Sequence, residues 1–285
     1  MTSGNNIIWA TSHYNHMGPE YAAEKEITLS AITGGNGTVI QPRVEKSSEE
    51  QWLRTKGKAE VFTPSWFCNI QNNLVDEAWF NQCNVFNSTT HKGWKTNNHH
   101  VKFGVGSTKT WKKYVDDTRL EVSCGEAPYL VSRYDTTTGK PISLSNRIGI
   151  LDRKLRIVME NTSCEEEWLI WAKRAYQSVY AFELQGDNVL LARENLLASY
   201  QEYFQNALQR EAKESELLEI AWIISWNIWQ MDACTSSIPR ISSANEYKSK
   251  NGFPLGRQSS PLCLLYDWHS NQTVTFSSML RNRLI

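Results

Sequence analysis

A chain of 285 residues that is 40% hydrophobic can bury roughly three quarters of its unfolded surface, as one large domain or two small ones. Thirty basic residues balance thirty acidic ones, which excludes the global positive field that would draw the whole protein onto nucleic acid. Six cysteines without a C-x-x-C pair, and six histidines away from zinc-ligand spacing, argue against a disulfide scaffold and against a metal site.

At the N-terminus there is no charged, then apolar, then small-residue signal pattern, and no apolar run approaches the ~20 residues that cross a bilayer. A soluble, cytoplasmic protein without a membrane partner is expected. Ile7, Ile8 and Trp9 read as a short strand, followed by a helical stretch from Pro19 to about Ile32 that Gly34, Gly35 and Gly37 close. The charged segment 43–58 has little apolar periodicity and reads as an exposed connection. Thr63 as N-cap and Pro64 at the first helical position predict a helix through Trp66, Phe67, Ile70 and Leu74.

From 84 to 117 the sequence is polar, with Lys92, Lys95, Lys102, Lys109, Lys112 and Lys113 set among Trp94, Phe103 and Trp111. Such interleaving can bind nucleic acid and makes the segment a candidate only, since with zero overall charge a solvated insertion with a few anchoring rings fits better. Strand and helix then alternate: strand 119–123, helix 168–178, strand 179–184 and helix 188–208, with a further helix from 214 to about 224. That order predicts a mainly parallel sheet carrying its ligand at the carboxyl ends of the strands. Residues 133–156 interrupt the pattern as a hairpin or loop insertion turned at Gly139 and Pro141. The stretch 242–260, rich in Ser and Asn, reads as linker.

Two elements carry candidate chemistry. The strand around Glu121 runs into a turn of small residues, Cys124, Gly125 and Ala127, that lets backbone N–H groups approach a ligand. The next strand ends in Glu183 before Gly186 and Asp187, and a carboxylate there can accept both hydroxyls of a ribose.

The order Phe62-Thr63-Pro64, then Leu120-Glu121-Val122-Ser123-Cys124-Gly125-Glu126-Ala127-Pro128-Tyr129-Leu130, then Phe182-Glu183 with Leu191-Ala192-Arg193-Glu194-Asn195-Leu196, resembles N6-adenine DNA methyltransferases. Longer stretches resemble the bacterial and phage group labelled restriction endonuclease subunit M: Ile8 to His13, Ile148 to Lys154, Ser225 to Asp232 and Tyr266 to Trp268. The resemblance implies an α/β, Rossmann-like S-adenosylmethionine-dependent methyltransferase fold with a mainly parallel central sheet and loop insertions. It spans 1–285 as a single domain: an N-terminal part to residue 83, insertions at 84–118 and 133–156, and a cofactor core from 119.

By the same resemblance Phe62, Thr63 and Pro64 would border the methionine end of S-adenosylmethionine, Glu121 and Gly125 would shape the first turn, Glu183 would hold the ribose and Asp232 the adenine amino group. DNA would be the substrate, with a restriction or specificity subunit, or another defence protein, as partner. Two departures stand against the pattern. Ala127 and Pro128 replace the second glycine, and the chain has no Pro-Pro pair for the catalytic motif of the fourth strand. The nearest substitute is Leu264 to His269, where Asp267 could accept from the amine and Trp268 could stack on an extruded base. Without that chemistry the chain would be a non-catalytic homologue acting as a binding or regulatory subunit.

Overall fold

Three short strands lie side by side as a parallel sheet, the middle one buried along its whole length. The computed structural model describes residues 6–58, 60–104, 108–239 and 262–278. In chain order the helices are α1 (Leu29–Ile32), α2 (Ser48–Lys58), α3 (Ser65–Phe80), α4 (Trp111–Asp116), α5 (Ile150–Asn161), α6 (Glu165–Gln177), α7 (Gly186–Leu208) and α8 (Glu214–Asn227). The strands are β1 (Asn87–Thr90), β2 (Gly93–Thr96), β3 (Arg119–Val122), β4 (Val179–Glu183), β5 (Ile228–Gln230), β6 (Leu264–Asp267) and β7 (Gln272–Thr275). The central sheet has the order β3-β4-β5 with both pairings parallel, while β1–β2 and β6–β7 are separate antiparallel hairpins. The protein is therefore a mixed α/β structure with a small parallel sheet, and no helix of the described residues is long and apolar enough to cross a membrane.

All five residues of β4 are buried, as a strand covered on both faces must be. Side chains alternate, so Val179, Ala181 and Glu183 point to one face, and Tyr180 and Phe182 to the other. The first face packs on the main core, where Leu155, Ile157 and Val158 of α5 meet Ala172 and Tyr176 of α6 and Leu196, Tyr200 and Phe204 of α7. The second is covered by the β6–β7 hairpin through Phe182, Trp229, Leu265 and Phe276.

Several expected elements shift. The stretch from Pro19 to Ile32 is a helical turn at Pro19–Tyr21 and the four-residue α1, not one helix. Segment 43–58 is not an exposed connection: it forms α2, and its Lys46 and Arg54 are buried because Asp187 lies between them. The helix after Thr63 begins at Ser65, and the cap comes from a distance, since the Ser65 N–H donates to Asp135 Oδ2 at 2.8 Å. In the expected insertions, 84–118 contains β1, β2 and α4, and 133–156 runs into α5. The Ser- and Asn-rich stretch 242–260 lies outside the described residues.

Helix α5 carries Asp152, Arg153 and Lys154 in a row, and all three are buried. Lys154 Nζ donates to Val115 O at 3.0 Å, to Ser178 Oγ at 2.6 Å and to Asp117 O, fastening α5 to the segments that lead into β3 and β4. Burial lowers its amine to about 7, with Arg119 adding to the effect. Between about 7 and the ordinary 10.5 the unfolded chain holds a proton that the folded chain does not, so stability rises with pH across that window and is level below it, where both states hold the proton. Lys154→Met is expected to lose about 1–3 kcal/mol through its abandoned acceptors, and to flatten the pH dependence of urea unfolding above pH 7.

Candidate site at the carboxyl edge of the sheet

Glu121 pairs with Ala181 across the β3–β4 ladder, and Glu183 stands two residues further along β4. The period of two places Ala181 and Glu183 on one face, so both carboxylates occupy the same side of adjacent parallel strands. Glu183 is 8% exposed and gathers main-chain donors: Gly125 N–H at 2.9 Å, Leu184 N–H at 2.8 Å and Gln185 N–H at 3.1 Å. Burial raises its carboxyl, against the pull of these N–H groups. Burial also holds Glu121 well above the carboxylate range; the N–H groups of Tyr129 and Leu130 oppose this and Glu183 adds to it. Glu121 Oε2 is enclosed without a hydrogen-bond partner.

The turn after β3 bends through left-handed backbone at Ser123 (φ 56°), Gly125 (φ 54°) and Ala127 (φ 62°). A side chain at Gly125 would meet nothing within 4 Å, so the turn opens there onto free space. Ala127, by contrast, is completely buried. The Thr-Pro segment comes to this turn. Thr63 O accepts from Thr136 Oγ1 at 3.0 Å, the Thr63 side chain reaches Tyr129, and the ring of Phe62 lies 4.8 Å beneath the Arg43 guanidinium. Glu121, Gly125 and Glu183 thus stand together at the strand end, with Thr63 against Tyr129 just past the turn and Phe62 against Arg43.

The other side of the edge is closed. Gln230, opposite Glu183 in β5, holds the backbone of Ile8 at both ends: Ile8 N–H donates to Oε1 at 2.9 Å, and Nε2 donates to Ile8 O at 2.7 Å. Gly186 N–H donates to Trp9 O at 3.0 Å, and a side chain at Gly186 would stand 2.0 Å from Ile8 O. Residues 7–10 therefore lie across the ends of β4 and β5. Asp232 sits just past β5, where its Oδ1 accepts the Cys234 N–H at 2.8 Å and closes a turn.

No family model, curated protein or solved structure matches this chain. The geometry carries the functional argument alone. It separates two of the residues expected at the site from the rest. Trp268 Nε1 donates to Asn227 Oδ1 at 2.8 Å, and Asn227 in turn donates to Tyr176 O and Val179 O, at the amino end of β4. A five-residue strand rises about 13 Å between its first and last residues, so Trp268 stands that far from the level of Glu183. Asp267 accepts from His269 N–H and Ser270 Oγ within its own hairpin turn. The expectation that Asp267 and Trp268 face the cofactor groups is corrected: β6 is outside the parallel sheet and runs away from its carboxyl edge.

The lysine and aromatic segment is also committed internally. Lys112 Nζ lies over the rings of Trp111 and Trp171 at 5.3 and 5.2 Å, and Lys109 Nζ lies over Trp79 while donating to its carbonyl. Trp94 Nε1 donates to Asn146 O. These contacts spend cation–π attraction on the protein's own rings. Gln230 and Asp187 were given no role in the sequence although both lie in quoted stretches, because an amide at the end of an apolar run and an acid in a first helical turn do not by themselves show what they will meet. Among the described residues no cluster of His, Cys, Asp and Glu could hold a metal ion.

Proposed function

We propose that the chain is a methyltransferase-type protein of a restriction–modification or phage-defence system that takes S-adenosylmethionine at this edge and does not transfer methyl by itself. In this reading the sheet is part of a Rossmann-like methyltransferase fold, and the chain serves as a binding or regulatory subunit for a partner that acts on DNA. The observation that carries it is the pair Glu121 and Glu183 on one face of adjacent parallel strands, beside the open turn at Gly125.

The fit differs between the two halves of the ligand. On the methionine side an enclosed carboxylate oxygen of Glu121 lacks a partner, and two acids raised by burial reward a cation. S-adenosylmethionine brings two, an ammonium and a sulfonium. On the adenosine side Glu183 has three donors already and Ile8 occupies the amide of Gln230, so the nucleoside enters only when residues 7–10 give way. The non-transferring role is supported by the position of Asp267 and Trp268, which are engaged within their own hairpin and at the amino end of β4, away from the edge.

Calorimetric titration of the full chain is expected to show S-adenosylmethionine binding that Glu183→Ala weakens by at least roughly tenfold, as loss of a charged acceptor should. Binding weakens as pH falls, because each carboxyl must be ionised to face a cation. Incubation with labelled cofactor and mixed genomic DNA is expected to leave the DNA unlabelled. Absence of binding rejects the cofactor; labelled adenine rejects the non-transferring role.

A further inference from the structure

A second opening lies where the two expected insertions meet, away from the sheet edge. A cavity of about 400 Å³ is bounded by the β1–β2 hairpin, the loop 144–147, one face of α5 and the C-terminal half of α7. Asp152, Arg153, Arg156 and Glu160 line it from α5. With a rise of 1.5 Å per residue, that face extends about 12 Å. The volume is at the small end for organic ligands, large enough for one nucleotide and too small for a duplex.

The cavity's own lining carries more positive than negative charge, with Glu202 and Asp76 behind it pairing two of the cations. Three guanidinium groups, Arg147, Arg153 and Arg156, stand in the wall against two carboxylates, Asp152 and Glu160. Arg153 and Arg156 stack on Phe86 with 5.2 and 5.7 Å to the ring centroid, and Arg147 lies 5.8 Å from the ring of Tyr203. Each is held in place by protein acceptors: Arg147 by Glu202, Arg153 by Asp76, and Arg156 by Glu160 and His99 O. Held this way, they are preorganised for a ligand.

Two of their donors are left over. Arg147 Nη1 and Arg153 Nε are buried without any hydrogen-bond partner, on side chains only 6% and 1% exposed. Asp152 Oδ1, on the same wall, is likewise buried without a partner, so the wall keeps two spare donors and one spare acceptor, each covered by neighbouring atoms and brought to a ligand by a small shift of its side chain. Leu144 and Met159 give the same cavity an apolar wall, and the exposed Asn206 stands at its rim.

We propose that this cavity binds a single nucleotide, its phosphate on the guanidinium groups and its base along Leu144 and Met159. Planar guanidinium groups take phosphate oxygens in paired hydrogen bonds, and the apolar wall distinguishes a nucleotide from a bare anion. The nucleotide is either a free monophosphate or one residue of a single strand. This inference is independent of the cofactor edge.

The four deoxynucleoside monophosphates, inorganic phosphate and a short single-stranded DNA are titrated into the full chain by calorimetry. At least one nucleotide is expected to bind at least tenfold more tightly than phosphate. Arg156→Ala is expected to weaken it about tenfold or more. Asn206→Asp, an exposed substitution that adds a negative charge at the rim, is expected to weaken it at an unchanged melting temperature. A free nucleotide as the natural ligand is indicated when monophosphates bind more tightly than the strand, and a strand when the order reverses. The proposal is overturned if no nucleotide binds, if nucleotides bind no better than phosphate, or if neither substitution moves the affinity.

Discussion

Asp187→Ala is expected to lower the stability of the chain by about 3–5 kcal/mol, read as a reduced urea midpoint at unchanged slope. Asp187 lies in the first turn of α7 and is completely buried. It accepts Tyr14 Oη at 2.8 Å and pairs with Arg54 Nη1 at 2.8 Å and Lys46 Nζ at 3.6 Å. Glu60 shares Arg54 and accepts from Asn188 Nδ2 at 2.7 Å. Two buried cations thus face two buried acids, and removing one acid leaves a positive charge uncompensated away from water. Asp187→Asn keeps the shape and the acceptor for Tyr14, and is expected to cost less. Burial opposes ionisation of Asp187, but Arg54 and Lys46 outweigh it and hold the carboxyl below its usual value. The contribution is therefore present above the ordinary carboxylate range and lost as pH falls below it. An alanine variant with wild-type stability at neutral pH would show that the cluster is not what joins residues 14–60 to α7.

Gly186→Ala is expected to cost about 2–3 kcal/mol, although alanine is the better helix former at an ordinary helical position. The reason is contact. Its Cβ would stand 2.0 Å from Ile8 O, 2.8 Å from Ile7 Cγ2 and 2.9 Å from Ile27 Cδ1, and a backbone oxygen cannot swing aside as a flexible side chain can. The segment over β4 and β5 must then lift. Amide exchange reads this directly, since Trp9 N–H donates to Lys25 O and Ala10 N–H to Ala23 O. Both amides are expected to exchange faster in the variant while those of α6 do not. Unchanged stability would mean that Ile8 does not rest on Gly186.

The parts legible in the sequence were those whose signal is local. Strand β4 and helices α7 and α8 follow from apolar runs and their period, strand β3 from a β-type run that contains an acid, and the two acids were found because each stands near the end of a strand before a turn of small residues. Helix α5 was hidden: Asp152, Arg153 and Lys154 look like a solvated face, and they are buried only because Ser132, Asp76 and Val115 come from elsewhere in the chain to meet them. Helix α2 was hidden for the same reason, its Arg54 being partnered by Asp187, more than a hundred residues away. Strand β5 merges with the apolar end of α8, and three residues are too few for a change of period to show. The site was half legible. Which residues reach the carboxyl edge depends on strand direction, and nothing local in Leu264 to His269 told that β6 would carry Asp267 and Trp268 to the amino end.

In the proposed function, the edge around Gly125 takes S-adenosylmethionine between Glu121 and Glu183. The Gly125 amide is the most direct reporter, because its N–H donates to Glu183 Oε2 at 2.9 Å and a bound cation must disturb that bond. Titration of S-adenosylmethionine into the ¹⁵N-labelled chain is predicted to move the Gly125 resonance saturably, together with those of Tyr129 and Ile8, and to leave His269 in place. A Gly125 resonance that stays fixed at millimolar ligand would contradict the account.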